Sequence, residues 1–250
     1  MRGSAMIRSE KAVWLTIIAV EVVFVVLTRI VLTHYRTYSQ EAELIRTLLR
    51  LVAVLIYWIL LREFIASKKL VSTDIVQFRL LAACVMFLSV PLLVGDLSYM
   101  GPGTKAVYAA TSIVVALKEE IAFRALIQNL IAKRLGNGAA ILLTTVLFTA
   151  YHIGAIPLEL FAYGQVVLAS LLLGIVYVRT QSLWLAIWLH AIYDALWSLT
   201  PIATVSLLSY QLGLLLLVAP VLLVFSWGRP SIWPDSAFQR ALRDKTAQRH

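Results

Sequence analysis

Two adjacent carboxylates and an arginine interrupt an otherwise apolar stretch of this sequence. Glu119, Glu120 and Arg124 follow an apolar run from Ala106 to Leu117, and apolar residues continue after them. Charged side chains at membrane depth are energetically costly, so they usually mark a functional site. On a helix Glu120 and Arg124 face the same way and can pair, whereas Glu119 points about 100° away. Glu119 is therefore predicted to be the carboxylate that is free for chemistry.

Two histidines in later apolar runs carry partners at helical spacing. Phe148 lies four residues before His152, and Asp194 lies four residues after His190. Residues four apart share one face of a helix, so each histidine has a defined neighbour. A single histidine among apolar residues is as consistent with core packing as with function. Two such pairs, together with the Glu-Glu motif, favour a functional site.

Helical geometry predicts that Glu119 and His152 face each other. They are 33 positions apart, and the midpoint falls in the turn at Leu135-Gly136-Asn137. In a helical hairpin with that turn, both side chains lie about 25 Å from the turn, at matching depth. His190 lies only about 14 Å from its nearest turn. That mismatch closes if the first hairpin projects about 10 Å into the cytoplasm.

A glutamate and two histidines that converge in a dry helix bundle would form a hydrolytic site. The carboxylate and one imidazole can hold a water and take its proton. The second imidazole, supported by Asp194, can donate to the developing oxyanion. The same side chains, Glu119, His152 and His190, are also a possible zinc ligand set that leaves a water position open. The residues by themselves leave both mechanisms open.

The composition indicates a polytopic helical membrane protein. Of the 250 residues 61% are hydrophobic and 14% charged, with a mean hydropathy of +0.86, against about 25% charged in soluble domains. The 22 basic residues exceed the 13 acidic ones, but they cluster at the ends of apolar runs, where they orient membrane helices. Nucleic acid is therefore not an expected partner. The single cysteine, Cys84, excludes a disulfide within the chain.

We predict an all-α fold, a polytopic membrane bundle of about eight transmembrane helices with the active site among helices four to seven. The predicted spans are approximately 12–32, 44–64, 78–94, 105–134, 138–156, 158–178, 183–199 and 203–227. An N-terminal leader over 1–11, in which 1–5 resembles a vector-derived sequence, precedes the transmembrane domain, 12–227, and a basic tail follows over 228–250. Lys and Arg in alternate loops place both termini in the cytoplasm.

Charges in the first two helices are assigned structural roles. Glu21 is isolated within helix one, and an unpaired charge is hardly tolerated at that depth. It is expected to pair with Arg50 or Arg124. Arg46 and Arg50 share one face of helix two, and both are expected to extend toward the lipid headgroups.

Taken together, the three motifs resemble a known family. Glu-Glu-x-x-x-Arg begins at Glu119, Phe-x-x-x-His ends at His152, and His-x-x-x-Asp begins at His190. In this order they resemble the CPBP family, the CAAX proteases and bacteriocin-processing enzymes, also called the Abi or type II CAAX prenyl protease family. The resemblance covers about 107–199. It implies an integral-membrane endopeptidase that acts on a membrane-associated protein or peptide.

The resemblance also implies a role for each matched residue. Glu119 would be the general base that activates water with His152, while His190 and Asp194 hold the oxyanion. The supporting positions would be Glu120, Arg124 and Phe148. The implied mechanism is of the glutamate type and needs no cofactor, with a zinc metalloprotease as the alternative.

Asp194 departs from the pattern of the prenyl-protein proteases, which typically carry Asn at that position. A neutral Asn donates directly to an oxyanion, whereas an ionised Asp cannot. Asp194 would then orient His190 or be protonated, and the departure favours a substrate other than a prenylated tail.

Two other classes of function remain open. A proton- or ion-coupled transporter that uses the Glu/His/Arg network would show pH-dependent flux without proteolysis. A non-catalytic immunity or scaffold protein would have no need of the base and the histidine together. The sequence does not predict the substrate's identity or the oligomeric state.

Overall fold

The computed structural model describes residues 2–36, 39–64, 78–94, 101–153, 160–199 and 207–225. Within these ranges the chain is helical, and the predicted all-α class is confirmed. The elements are α1 (Arg2–His34), α2 (Gln40–Phe64), α3 (Phe78–Val94), α4 (Pro102–Glu120), a π-helical segment (Ile121–Gln128), α5 (Asn129–Tyr151), α6 (Leu160–Thr180), α7 (Leu183–Leu199) and α8 (Leu207–Phe225).

The element bounds lie close to most of the predicted spans, but the predicted single helix 105–134 is divided by the π-helical segment, and two further bounds differ clearly. The first helix begins at Arg2, inside the predicted leader, because the polar residues before Ala12 continue the same helix. The helix that carries His152 ends at Tyr151 rather than near 156, and 154–159 lie outside the described residues. The predicted tail, 228–250, also lies outside them.

The chain leaves helical geometry at Gly136, inside α5. Its backbone has φ of 82° and ψ of 166°, a combination that is essentially restricted to glycine. The residues of α5 beyond this point pack against the π-helical segment and against α6. The hairpin predicted at Leu135-Gly136-Asn137 is therefore confirmed.

The outer surface of the bundle is apolar. Leu15, Leu55 and Val146 are each more than 60% exposed, and many other large apolar side chains also face outward. A soluble monomer rarely exposes such continuous apolar surface. Among the described residues, three helical stretches are long and apolar enough to cross a membrane: Glu10–His34, Gln40–Leu61 and Ala162–Thr180. The protein is thus an integral membrane protein, while the number of spans and the orientation stay predictions.

Several charged side chains lie on the inside of the bundle, around α4. This helix packs between α2 and α7, and α5 packs against α6. Lys118, Glu119 and Glu120 at the end of α4 are all buried, as is Arg124 in the π-helical segment. Each of these buried charged side chains needs a partner, because isolated charges are strongly unfavourable in a low-dielectric interior.

The predicted partners of Glu21 are wrong. Its carboxylate accepts from Lys118 Nζ at 2.6 Å and from Tyr57 Oη at 2.5 Å, and pairs with neither Arg50 nor Arg124. The rotation of α1 about its own axis decides which side chain Glu21 meets, and it turns Glu21 toward α2 and α4.

The predicted extension of Arg46 and Arg50 toward headgroups is also wrong. Both guanidinium groups lie 2.6 Å from the carboxylate of Glu43, which is itself 2% exposed. Arg46 also donates to Tyr108 Oη on α4. These contacts join the first turns of α2 to α4 and leave the arginines mostly covered.

Replacing Gly136 by Ala is expected to destabilise the hairpin, because an L side chain is strained at this φ and ψ. The free energy of unfolding should fall by about 1–3 kcal/mol. Gly164→Ala is the matched control, since its new Cβ would meet only Leu214 Cδ2 at 3.8 Å, an ordinary contact. Thermal unfolding of the detergent-purified variants measures the stability of each. Equal stability of Gly136→Ala and Gly164→Ala would contradict the expected strain at position 136.

Candidate active site

The carboxylates of the site sit where α4 gives way to the π-helical segment. Glu119 and Glu120 are the last two residues of α4, and every residue from Ile121 to Gln128 is buried. Short π-helical stretches within helices are frequently found at functional sites. One extra residue per turn rotates the residues that follow by about 100°. This rotation brings Gln128 to α6, where its Nε2 donates to the carbonyl of Gly174 at 3.2 Å.

Glu119 lies between the two histidines. Its Oε2 is 3.9 Å from His152 Nε2 and 3.9 Å from His190 Nε2. That oxygen is buried and has no hydrogen-bond partner among the described residues. The facing arrangement of Glu119 and His152 predicted from helical rise is therefore present, and His190 reaches the same point despite the mismatch in depth.

Glu120, in contrast, is fully committed to fixed partners. Its Oε1 accepts from His190 Nδ1 at 2.8 Å, and its Oε2 accepts from Arg124 Nε at 3.0 Å. Arg124 Nη2 then donates to Ser170 Oγ on α6 at 3.1 Å. The predicted Glu120–Arg124 pair is confirmed, and it is part of a network that joins α4, α6 and α7.

His152 is held at the end of α5 by its own helix. Its Nδ1 lies 2.8 Å from the carbonyl oxygen of Phe148, so Nδ1 is the protonated nitrogen in this contact. The ring of Phe148 lies 4.6 Å from the ring of His152 and 6.2 Å from that of His190. Phe148 thus packs between the two imidazoles, and Arg124 lies over its ring at 5.4 Å.

Asp194 marks the more open side of the site. Its Oδ2 is 3.4 Å from His190 Nε2, and its side chain is 33% exposed whereas Glu120 is fully buried. His190 therefore lies between two carboxylates, with Glu120 at Nδ1 and Asp194 at Nε2. With this geometry Asp194 can orient the imidazole of His190.

The structure brings all seven predicted positions together, and it adds others. Ser170 was not predicted to contact Arg124, nor Glu120 to contact His190. Tyr151 and Lys118 also lie beside the site, joined by a hydrogen bond of 2.9 Å. The sequence did contain a signal for the role of Lys118. It lies next to the Glu-Glu motif in an apolar run, where an ammonium requires a partner.

The three candidate zinc ligands have suitable chemistry but not the spacing of a tetrahedral site. Two ligands about 2.0–2.1 Å from a tetrahedral zinc lie about 3.3–3.4 Å apart. Glu119 Oε2 is 3.9 Å from each histidine nitrogen. Among the described residues no group of three or more His, Cys, Asp or Glu side chains is arranged to hold a metal ion.

The part of the chain that contains the site matches a known protein family. Residues 102–196 match the family described as Type II CAAX prenyl endopeptidase Rce1-like. The resemblance to the CAAX proteases is confirmed. The matched range contains every predicted site residue and supports a CAAX-type intramembrane endopeptidase with a membrane-associated protein substrate. No curated protein and no solved structure matches the chain.

Replacing Arg124 by Leu is expected to leave Glu120 buried with only His190 as a partner. Removing one member of a buried ion pair costs about 3–5 kcal/mol, whereas Ser170→Ala removes a single hydrogen bond and costs about 1 kcal/mol. Denaturant unfolding of the purified variants gives both values. An Arg124→Leu protein within about 1 kcal/mol of the unmodified protein would contradict a structural role for the network.

Proposed function

We propose that this protein is an intramembrane endopeptidase of the glutamate type, in which Glu119 and His152 activate a water molecule. The water hydrolyses a peptide bond of a membrane-associated protein or peptide. One observation carries the proposal: two hydrogen-bond acceptors, Glu119 Oε2 and His152 Nε2, face each other across 3.9 Å. Two polar groups more than about 3.5 Å apart can be bridged by a water.

The tautomer of the His152 imidazole supports a water between Glu119 and His152. Because Nδ1–H donates to the carbonyl of Phe148, the Nε2 atom of the neutral ring carries a lone pair. An ionised Glu119 likewise offers only acceptors. Two acceptors do not bond to each other, but a water between them donates one O–H to each. Its remaining lone pairs are then free for attack on a carbonyl carbon.

The hydrolysis balances with groups that the site contains. The water oxygen attacks the carbonyl carbon of the substrate, the carbonyl π electrons move to oxygen, and a water proton passes to Glu119. When the tetrahedral intermediate collapses, the C–N bond breaks and Glu119 returns the proton to the leaving nitrogen. Glu119 ends the cycle ionised, with one water consumed for each peptide bond cleaved.

His190 is the proposed donor to the oxyanion. Its Nδ1 proton is engaged by Glu120 at 2.8 Å, so the proton it can offer is the one on Nε2. This role requires the imidazolium form, whose charge the flanking carboxylates of Glu120 and Asp194 balance. A preorganised charged donor in a water-poor site strongly stabilises developing negative charge.

Asp194 is proposed to orient His190 rather than to contact the oxyanion. An ionised carboxylate would repel the negative charge that forms there. This assignment, together with Asp in place of the Asn that prenyl-protein proteases carry, favours substrates without a prenyl group. The site would act within a multi-pass protein that has both termini in the cytoplasm.

Replacing Glu119 by Gln is expected to abolish cleavage and leave the fold intact, because the amide preserves shape but cannot accept the proton. His152→Ala should also abolish it. Cells that produce the unmodified protein are compared with cells that produce each variant by sequencing the peptide termini of the membrane proteome. Termini that require both Glu119 and His152 identify the substrate.

Glu41→Gln is the matched control, since Glu41 is exposed at the start of α2 and remote in sequence from the motifs. It should give the same termini as the unmodified protein. If Glu119→Gln also gives the same termini, with all proteins produced and folded, the protease assignment is wrong and pH-dependent flux becomes the property to measure.

A further inference from the structure

Lys118 is a buried cation immediately beside the proposed general base. Its side chain is 1% exposed, and its Nζ donates to Glu21 Oε2 at 2.6 Å and to Tyr151 Oη at 2.9 Å. The ammonium also lies 4.2 Å from the centre of the Phe24 ring. A desolvated ammonium over an aromatic face is attracted to it. The position of Nζ is therefore fixed by contacts with α1 and α5.

The contact with Tyr151 lies one residue from the catalytic pair. Lys118 meets Tyr151 and Glu119 faces His152, so two successive residues of α4 meet two successive residues at the end of α5. His152 is the C-cap that follows the last residue of that helix, and its N–H donates to the carbonyl of Thr149. Helix ends open most readily, because their hydrogen bonds are fewest. The hydrogen bond of the Tyr151 hydroxyl connects this end of α5 to α4.

Glu21 determines where the charge of Lys118 is balanced. One oxygen of Glu21 accepts from Tyr57 of α2 and the other accepts from Lys118. Without Glu21, the nearest carboxylate along the chain is Glu119. An ammonium on Glu119 Oε2 would occupy the acceptor that the bridging water needs.

We propose that Lys118 and Glu21 are positioning residues for the reaction. Glu21 holds the ammonium of Lys118 away from Glu119, and Lys118 holds Tyr151 and thereby sets the separation of Glu119 from His152. The inference rests on the proposed function, and it assigns a task to α1, which lies outside the range that matches the CAAX protease family.

A second ion pair on α1 makes it possible to distinguish a positioning role of Glu21 from simple attachment of the helix to the bundle. Glu10 accepts from Arg134 Nη2 at 2.9 Å, close to the turn at Gly136. It joins α1 to the same hairpin but lies far along α1 from Glu21. If α1 only attaches to the bundle, loss of either pair lowers stability and leaves the turnover of folded protein unchanged.

The test compares Glu21→Gln with Glu10→Gln and with the double variant Glu21→Gln/Lys118→Gln. The full-length protein is purified in detergent, and kcat and KM are measured per folded chain on a fluorogenic peptide that spans a Glu119-dependent cleavage site. Glu21→Gln should lower kcat by about 10- to 100-fold, the effect of a small misplacement of catalytic groups, with KM unchanged. Glu10→Gln should leave both constants unchanged.

The double variant should recover most of the lost kcat, because two amides can hydrogen-bond to each other and to Tyr151 without a free charge beside Glu119. A Glu21→Gln protein with unchanged kcat per folded chain, or a double variant no better than the single, would overturn the inference. If Glu21→Gln does not fold, Tyr151→Phe tests the inference instead, because it removes only the hydroxyl that Lys118 contacts. An unchanged kcat of Tyr151→Phe would again overturn the inference. Absence of any Glu119-dependent cleavage would instead reject the proposed function itself.

Discussion

The buried carboxylate of Glu120 is the interaction on which the arrangement of the site depends. It is fully buried and binds both Arg124 and His190. A charge at that depth is tolerated only when its lone pairs are satisfied and its charge is compensated. Because these partners lie on the π-helical segment and on α7, the requirement fixes how both elements sit against α4. The orientation of His190 follows from that packing.

Three consecutive charged residues have three separate surroundings because a helix turns about 100° per residue. Lys118 faces α1 and Tyr151, Glu119 faces the two histidines, and Glu120 faces Arg124. The outer two are held by ion pairs and hydrogen bonds. The central one keeps a buried oxygen without a hydrogen-bond partner among the described residues. Sequence neighbours can thus have structural and chemical roles side by side, since the helix separates their directions.

Contacts that depend on one hairpin and its turn could be predicted from the sequence. The approach of Glu119 to His152 follows from the helical rise and the turn at Gly136, and the Glu120–Arg124 pair follows from spacing. Contacts that depend on how separate helices rotate against one another did not follow. The partner of Glu21 was wrong for that reason, and the contact of Glu120 with His190 was missed. The π-helical segment was also missed, because hydrophobic periodicity over eight residues does not distinguish an inserted residue.

The central claim is that the gap between Glu119 and His152 holds a water that is activated without a metal ion. Elemental analysis of the purified, catalytically active protein tests it most directly, with activity measured on the same sample. The account predicts full cleavage activity in protein that contains far less than one transition-metal ion per chain. Activity that rises and falls with one bound zinc per chain, and zinc that is lost on replacing Glu119, would contradict it.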